Sequence, residues 1–286
     1  MFYRGDEFES SIESITSTLA YQGNVGNHEW ASGFGHYTNR FQVFVGNQSN
    51  SGLIPDSIGP TLVGGLPNNH WYSWDTVWNG AGVHIVTMST EVYWISSATP
   101  LQYAWLEQDL ASVDRSKTPW VIVHGHRSIY CSCDSDCDAA ATLVRNGQLI
   151  NGTYMYGMEY LLNKYNVDLF LNGHEHNYER NYAVFNSTLV TKGSSGAPGG
   201  NASNPEVLVN PKAPIYIISG SAGDKERHEP FTRAQPPYSA FRSNTYGYGR
   251  MTIYNATTLL WEAIQTDNEY PETTGTVIDA MLIVKS

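Results

Sequence analysis

The chain has 286 residues, 41% of them hydrophobic and 13% aromatic, with 19 tyrosines and 8 tryptophans; that is enough apolar material for a large buried core, and it excludes a disordered chain. Its 27 acidic residues against 16 basic ones leave a formal charge of -11, and no Lys/Arg run tracks a phosphate backbone, so nucleic acid is excluded as a partner. The longest apolar stretches, Ile215 to Ile218 and Met281 to Val284, are strand-sized, well short of the ~20 residues of a membrane-spanning helix.

The N-terminus, MFYRGDEFES, has no apolar segment and no cleavage pattern, so it does not read as a signal peptide. Phe8, Ile12, Ile15 and Leu19 recur at helical spacing, which predicts an amphipathic helix over Glu7 to Leu19 with Asp6 as its N-cap. The segment VGNHEW, residues 25 to 30, follows directly. Residues 31 to 80, rich in Gly, Asn, Ser and aromatics, read as long loops with short strands. Strands over Val83 to Met88, Trp120 to Val123 and Val167 to Leu171 then alternate with helices over Leu101 to Val113 and Gly157 to Tyr165, the pattern of an α/β domain. The Gly/Ser/Pro/Asn-rich stretch 186–214 reads as a loop. Ile215 to Ser219 forms one more strand, Arg250 to Tyr254 and Leu259 to Ile264 a hairpin, and Ile278 to Val284 a last strand. The tail 215–286 thus adds antiparallel sheet to a single domain spanning residues 1–286.

Cys131, Cys133 and Cys137 lack the spacing of zinc sites and have no partner pair elsewhere, which favours a disulfide from Cys131 or Cys133 to Cys137 with one thiol left over. Five sequons, at Asn47, Asn151, Asn186, Asn201 and Asn255, permit N-glycosylation.

Ligands in α/β domains gather where strands end and loops begin. The strand PWVIV runs into HGHR, carrying His124 and His126, and VDLFL runs into NGHEHNYER, carrying His174 and His176. Alternate residues of an extended chain share a face, so each pair can turn both imidazoles to one side. Neutral imidazole suits zinc, iron and manganese. With Asn27, His28 and Glu29 of GNHE, the two pairs point to a metal site, although no Asp or Glu in these motifs completes one. His36, His70, His84 and His228 read as structural.

GNHE at 26–29, VHGHR at 123–127 and GHEH at 173–176 resemble, in order and spacing, the third, fourth and fifth motifs of the purple acid phosphatases. The resemblance continues through WYSWDTVWNGAGVHIVTMSTEVYW, WLEQDLASVDRSKTPWVIVHGHR and SAFRSNTYGYGRMTIYNAT, from about Glu7 to Lys285. It implies a calcineurin-like metallophosphoesterase fold, an α/β sandwich of two mixed β-sheets flanked by helices. It also implies hydrolysis of a small phosphate monoester by a metal-activated hydroxide at a dinuclear centre of Fe and a second divalent ion, Zn, Mn or Fe. Asn27, His126 and His174 match ligands of the divalent ion and His176 a ligand of the ferric ion. His28 matches a histidine that contacts the phosphate and helps protonate the leaving group, and Glu29 matches an anchor behind the ligands.

Two motifs of that family, Asp-x-Gly and Gly-Asp-x-x-Tyr, are missing; GDEFE imitates the second but lacks the Tyr and lies too close to GNHE. These departures lead us to expect a fold lacking its first strands, the C-terminal portion of a purple acid phosphatase. Its full form would carry a signal peptide and be secreted, extracellular or vacuolar. Other readings are a metallophosphoesterase acting on diesters or nucleotide pyrophosphates, and a glycoprotein binding module without a competent metal pair. Nothing in the sequence sets an oligomeric state.

Overall fold

The computed structural model describes residues 2–30, 33–41, 69–94, 98–134, 136–223, 227–266 and 274–286. Along them run α1 (Phe2–Thr16), α2 (Gly35–Arg40), β1 (Tyr72–Trp78), β2 (Ala81–Thr87), α3 (Thr99–Ser112), β3 (Trp120–His124) and α4 (Asp136–Asn146). The hairpin β4 (Gly147–Ile150) and β5 (Thr153–Tyr156), α5 (Met158–Lys164), β6 (Leu169–Asn172), β7 (Tyr178–Phe185), β8 (Thr188–Thr191) and β9 (Glu206–Val209) follow. β10 (Ile215–Ser219), β11 (Ser239–Ser243), β12 (Gly247–Asn255), β13 (Thr258–Gln265) and β14 (Val277–Val284) complete the order.

The strands make an eight-stranded sheet, β1-β2-β3-β6-β10-β7-β11 with β8 also on β7, and a four-stranded sheet, β12-β13-β14-β9. Both are mixed: β2, β3, β6 and β10 run parallel at the centre of the first, and β9 runs parallel to β14 in the second. Side-chain alternation explains how they stack. Val83, Ile85, Trp120, Ile122, Ile215 and Ile217 meet Leu259, Trp261, Met281 and Ile283 of the smaller sheet in one core. The intervening Val86, Val121, Val123 and Tyr216 face Trp105, Leu106 and Leu110 of α3 and Leu161 and Leu162 of α5 in another. The result is helices, large sheet and small sheet in layers, the architecture expected from the sequence.

A buried ion network ties the sheets. Arg180 of β7, fully buried, donates through Nε to Asp279 of β14 at 2.6 Å and through Nη2 to Glu206 of β9 at 2.9 Å. Tyr178 Oη adds a hydrogen bond to Asp279.

Several expectations need correction. The first helix starts at Phe2, so Asp6 lies inside it and is no N-cap; its carboxylate instead meets Arg40 Nη1 at 2.5 Å. Phe8 and Ile15 stay exposed. The stretch 31–80 contains α2, and its residues 42–68 lie outside those described. The stretch 186–214 holds β8 and β9, because β9 pairs with β14 in register from Met281↔Glu206 to Val284↔Val209. Within the tail, β10 and β11 belong to the large sheet. The disulfide is Cys131–Cys137, one of the two pairings expected, with Cys133 the buried free thiol. Among the described residues no helix is long and apolar enough to cross a membrane.

Candidate metal centre

Parallel pairing of β3 and β6 brings the ends of both strands, and therefore both His-bearing loops, to the same edge. The backbone ladder continues past the strands: Gly125 N–H donates to Leu171 O and Gly173 N–H to His126 O, each at 3.1 Å. His174 is held at φ 68°, a left-handed conformation that turns the chain abruptly. The 3-10 turn Asn27–Trp30 supplies the third corner. Glu29 Oε2 accepts from the Gly26 N–H at 2.8 Å and closes that turn. A side chain at Gly26 would place its Cβ 2.9 Å from the His126 ring, so only glycine lets the turn lie this close.

Three donor atoms converge there. His126 Nε2 stands 2.7 Å from Asn27 Oδ1 and 3.1 Å from His174 Nδ1. Lone pairs brought this close repel unless a proton or cation lies among them. One carbonyl oxygen and two imidazole nitrogens suit a divalent zinc, manganese or iron ion. Burial pushes the His126 pKa down to about 3, helped by the charges of His174, Arg127, His28 and His176. His126 is thus neutral and able to ligate even in acid.

The remaining sequence-derived residues lie around this core. His28 is exposed on the same turn. His176 Nδ1 is 3.2 Å from Arg227 O, and the His176 backbone N–H donates to Glu229 Oε2 at 2.9 Å. His228, read as structural, reaches the His176 carbonyl at 3.0 Å. Among the described residues no Asp or Glu joins His126, His174 or His176 in a metal-sized cluster.

The expectation that each His pair shares a side fails for the first pair. β3 extends through His124, whose Nε2 meets Thr87 Oγ1 of the neighbouring strand at 2.7 Å. Burial pushes its pKa down to about 4. Among the described residues, the grouping of acids and cysteines that comes closest to a metal site is Cys133, Asp134, Cys137 and Glu175. The Cys131–Cys137 disulfide removes one of its thiolates. Burial, then the neighbouring Glu175 carboxylate, pushes the Cys133 thiol up, and a protonated thiol is no ligand.

Arg127 is the site residue that spacing did not reveal. Its Nη1 lies 3.0 Å from His174 Nε2, its Nε donates to Glu91 Oε1 at 2.9 Å, and its guanidinium stacks 4.2 Å over the Trp94 ring. Its position next to His126 was the available signal, but Glu91 and Trp94 come from a distant segment without a motif. Tyr130 and Glu175, equally close in sequence, face elsewhere: Tyr130 is buried and hydrogen-bonds to Glu159, and Glu175 faces Cys133 at 3.1 Å.

Residues 2–178 match the calcineurin-like phosphoesterase family, and residues 213–280 match the family described as iron/zinc purple acid phosphatase-like protein C. The chain is 38% identical to acid phosphatase type 7 of Danio rerio, over 98% of this chain and 57% of that protein. It is 35% identical to the protein of the same name from Homo sapiens, over 98% of this chain and 56% of that one. It therefore spans somewhat more than half the length of these relatives. In fold it is similar to the purple acid phosphatase PPD1 of yellow lupin seeds, with a TM-score of 0.55 and 24% identity, over 77% of this chain and 34% of that one. The sheet order, the strand-end histidine loops and these matches together make the chain a member of the calcineurin-like phosphoesterase family, in its purple acid phosphatase branch.

Proposed function

We propose that this chain forms part of an acid phosphatase that hydrolyses small phosphate monoesters at a dinuclear centre of Fe and a second divalent ion. The observation that carries this reading is the convergence of Asn27 Oδ1, His126 Nε2 and His174 Nδ1 within 2.7 to 3.1 Å. We assign these three to the divalent ion and His176 to the ferric one. Bound metals supply Lewis acidity, neutralising phosphate charge and acidifying water. Asn27 contributes a neutral oxygen that leaves this acidity unquenched. His28, exposed beside the ligands, contacts the phosphate and protonates the leaving oxygen. Arg127, with its guanidinium braced by Glu91, provides a fixed cation for the phosphate dianion. We also propose a secreted or vacuolar location, supported by the Cys131–Cys137 disulfide.

The absence of carboxylates from the cluster among the described residues favours a second reading, a metal-poor binding module. One experiment separates the two. Iron and zinc content and p-nitrophenyl phosphate hydrolysis at about pH 5 are measured for this chain and for a chain extended to the length of its relatives. Two metals and turnover in the extended chain, both lost in Asn27→Ala and His126→Ala, support the phosphatase. Turnover on diesters alone, or no metal in either chain, sinks it.

A further inference from the structure

The four described sequons differ in what their asparagines do. Asn201 Oδ1 accepts from Ser203 N–H at 2.9 Å, and Asn255 Oδ1 from Thr257 N–H at 2.8 Å; both amides are engaged in local turns. Asn151 and Asn186 open two-residue hairpin turns, β4–β5 and β7–β8, each at φ 49°. Both are exposed, and among the described residues their side-chain amides make no hydrogen bond.

Asn186 also stands at the lip of a cleft of about 720 Å³, walled by Tyr103, Tyr154, Tyr156, Tyr160 and Phe185, with Arg145 among them. Tyr154 and Tyr160 are 54% and 59% exposed, an unusual amount of aromatic face to leave in water. Tyr154 lies on β5, three residues beyond the turn at Asn151. The turn is anchored to the cleft wall: Asn186 N–H donates to Glu159 Oε1 at 2.9 Å and Ser187 N–H to Tyr130 Oη at 2.8 Å. Anything attached to Asn186 therefore leaves the chain beside this cleft.

We infer that Asn186 is N-glycosylated and that the first sugar of the glycan packs in this cleft against the exposed tyrosine faces. A pyranose ring offers a flat array of C–H groups to an aromatic face and hydroxyls to a polar rim, the combination of apolar wall and few polar groups found here. The Asn186 amide nitrogen attacks C1 of a polyprenyl-diphosphate-linked oligosaccharide, the donor of a secretory host. A C–N bond forms, the C1–O bond to diphosphate breaks, and the amide loses one proton. The inference rests on the secretory location proposed above.

The test expresses the chain with a secretion leader in a eukaryotic host and maps glycopeptides. Melting temperatures are then compared for protein with intact glycans, trimmed enzymatically to one N-acetylglucosamine, and fully stripped. We expect Asn186 to be occupied, trimming to leave the melting temperature unchanged, and stripping to lower it by a few degrees. In the Tyr154→Ala/Tyr160→Ala variant that drop should vanish. Should this variant not fold, tyrosine iodination read by mass spectrometry replaces it; Tyr154 and Tyr160 should be protected in the trimmed protein and reactive in the stripped one. An empty Asn186 beside other filled sequons overturns the inference and leaves the secretory location standing. A retained chain with every sequon empty overturns both. An occupied Asn186 with an unchanged drop in the double variant, or equal iodination, overturns the seating.

Discussion

Arg127 joins a carboxylate, an aromatic face and a candidate ligand histidine in one side chain, and lysine cannot reproduce that planar geometry. Arg127→Ala should weaken inhibition by inorganic phosphate and raise KM about tenfold or more, the scale of one charge-assisted hydrogen bond. The turnover number should fall less, and Arg127→Lys should not restore binding. Steady-state kinetics of a chain extended to the length of its relatives check this. His84 behaves differently. Its burial favours the neutral ring, but Asp109 at 2.9 Å and Asp75 at 2.7 Å outweigh that and hold its pKa above the usual 6.5. Charged His84 therefore stabilises the fold fully below its unfolded pKa, and the contribution fades as pH rises through the raised folded value. In His84→Gln, the loss of melting temperature relative to the parent should be larger at about pH 5.5 than at about pH 9. Equal losses at both pH values would refute this.

At the scale of elements, the site depends on how closely a turn approaches a loop. Gly26→Ala drives a methyl group into the His126 ring, 2.9 Å away. Divalent-metal affinity should fall about 10- to 100-fold, as when a ligand's supporting contact is lost, while the circular dichroism stays that of the parent. Metal titration of parent and variant measures it. Elements whose apolar residues keep a regular period were legible in the sequence: β2, α3, β3, α5, β6, β10 and the closing hairpin. So were the two histidine loops, because they begin where such strands end. β7 was not, since its Glu179, Arg180 and Asn181 are polar yet fully buried: Arg180 pairs across the sheets with Asp279 and Glu206, and Glu179 accepts from Ser132, contacts that no local pattern shows. β9 was hidden because its partner β14 lies about seventy residues downstream. The separation of His124 from His126 depended on one residue of strand length.

For the whole molecule, the ion network of Arg180, Asp279 and Glu206 joins the two sheets where apolar packing alone would leave their register less defined. Removing one partner leaves a buried charge uncompensated. Asp279→Ala should lose about 3 to 5 kcal/mol of stability in urea unfolding, and because Arg180 meets its carboxylate partners on strands of the small sheet, metal content of the folded fraction should be unaffected. A loss below about 1 kcal/mol would mean that water already reaches the network. The backbone bonds that lace the two histidine loops together beyond β3 and β6 have a consequence for how such a chain can change. His126 and His174 are carried on a single stitched seam, so inserting or deleting one residue on either side shifts both. Length variation should therefore be tolerated in the outer hairpins, while the seam keeps a constant count of residues.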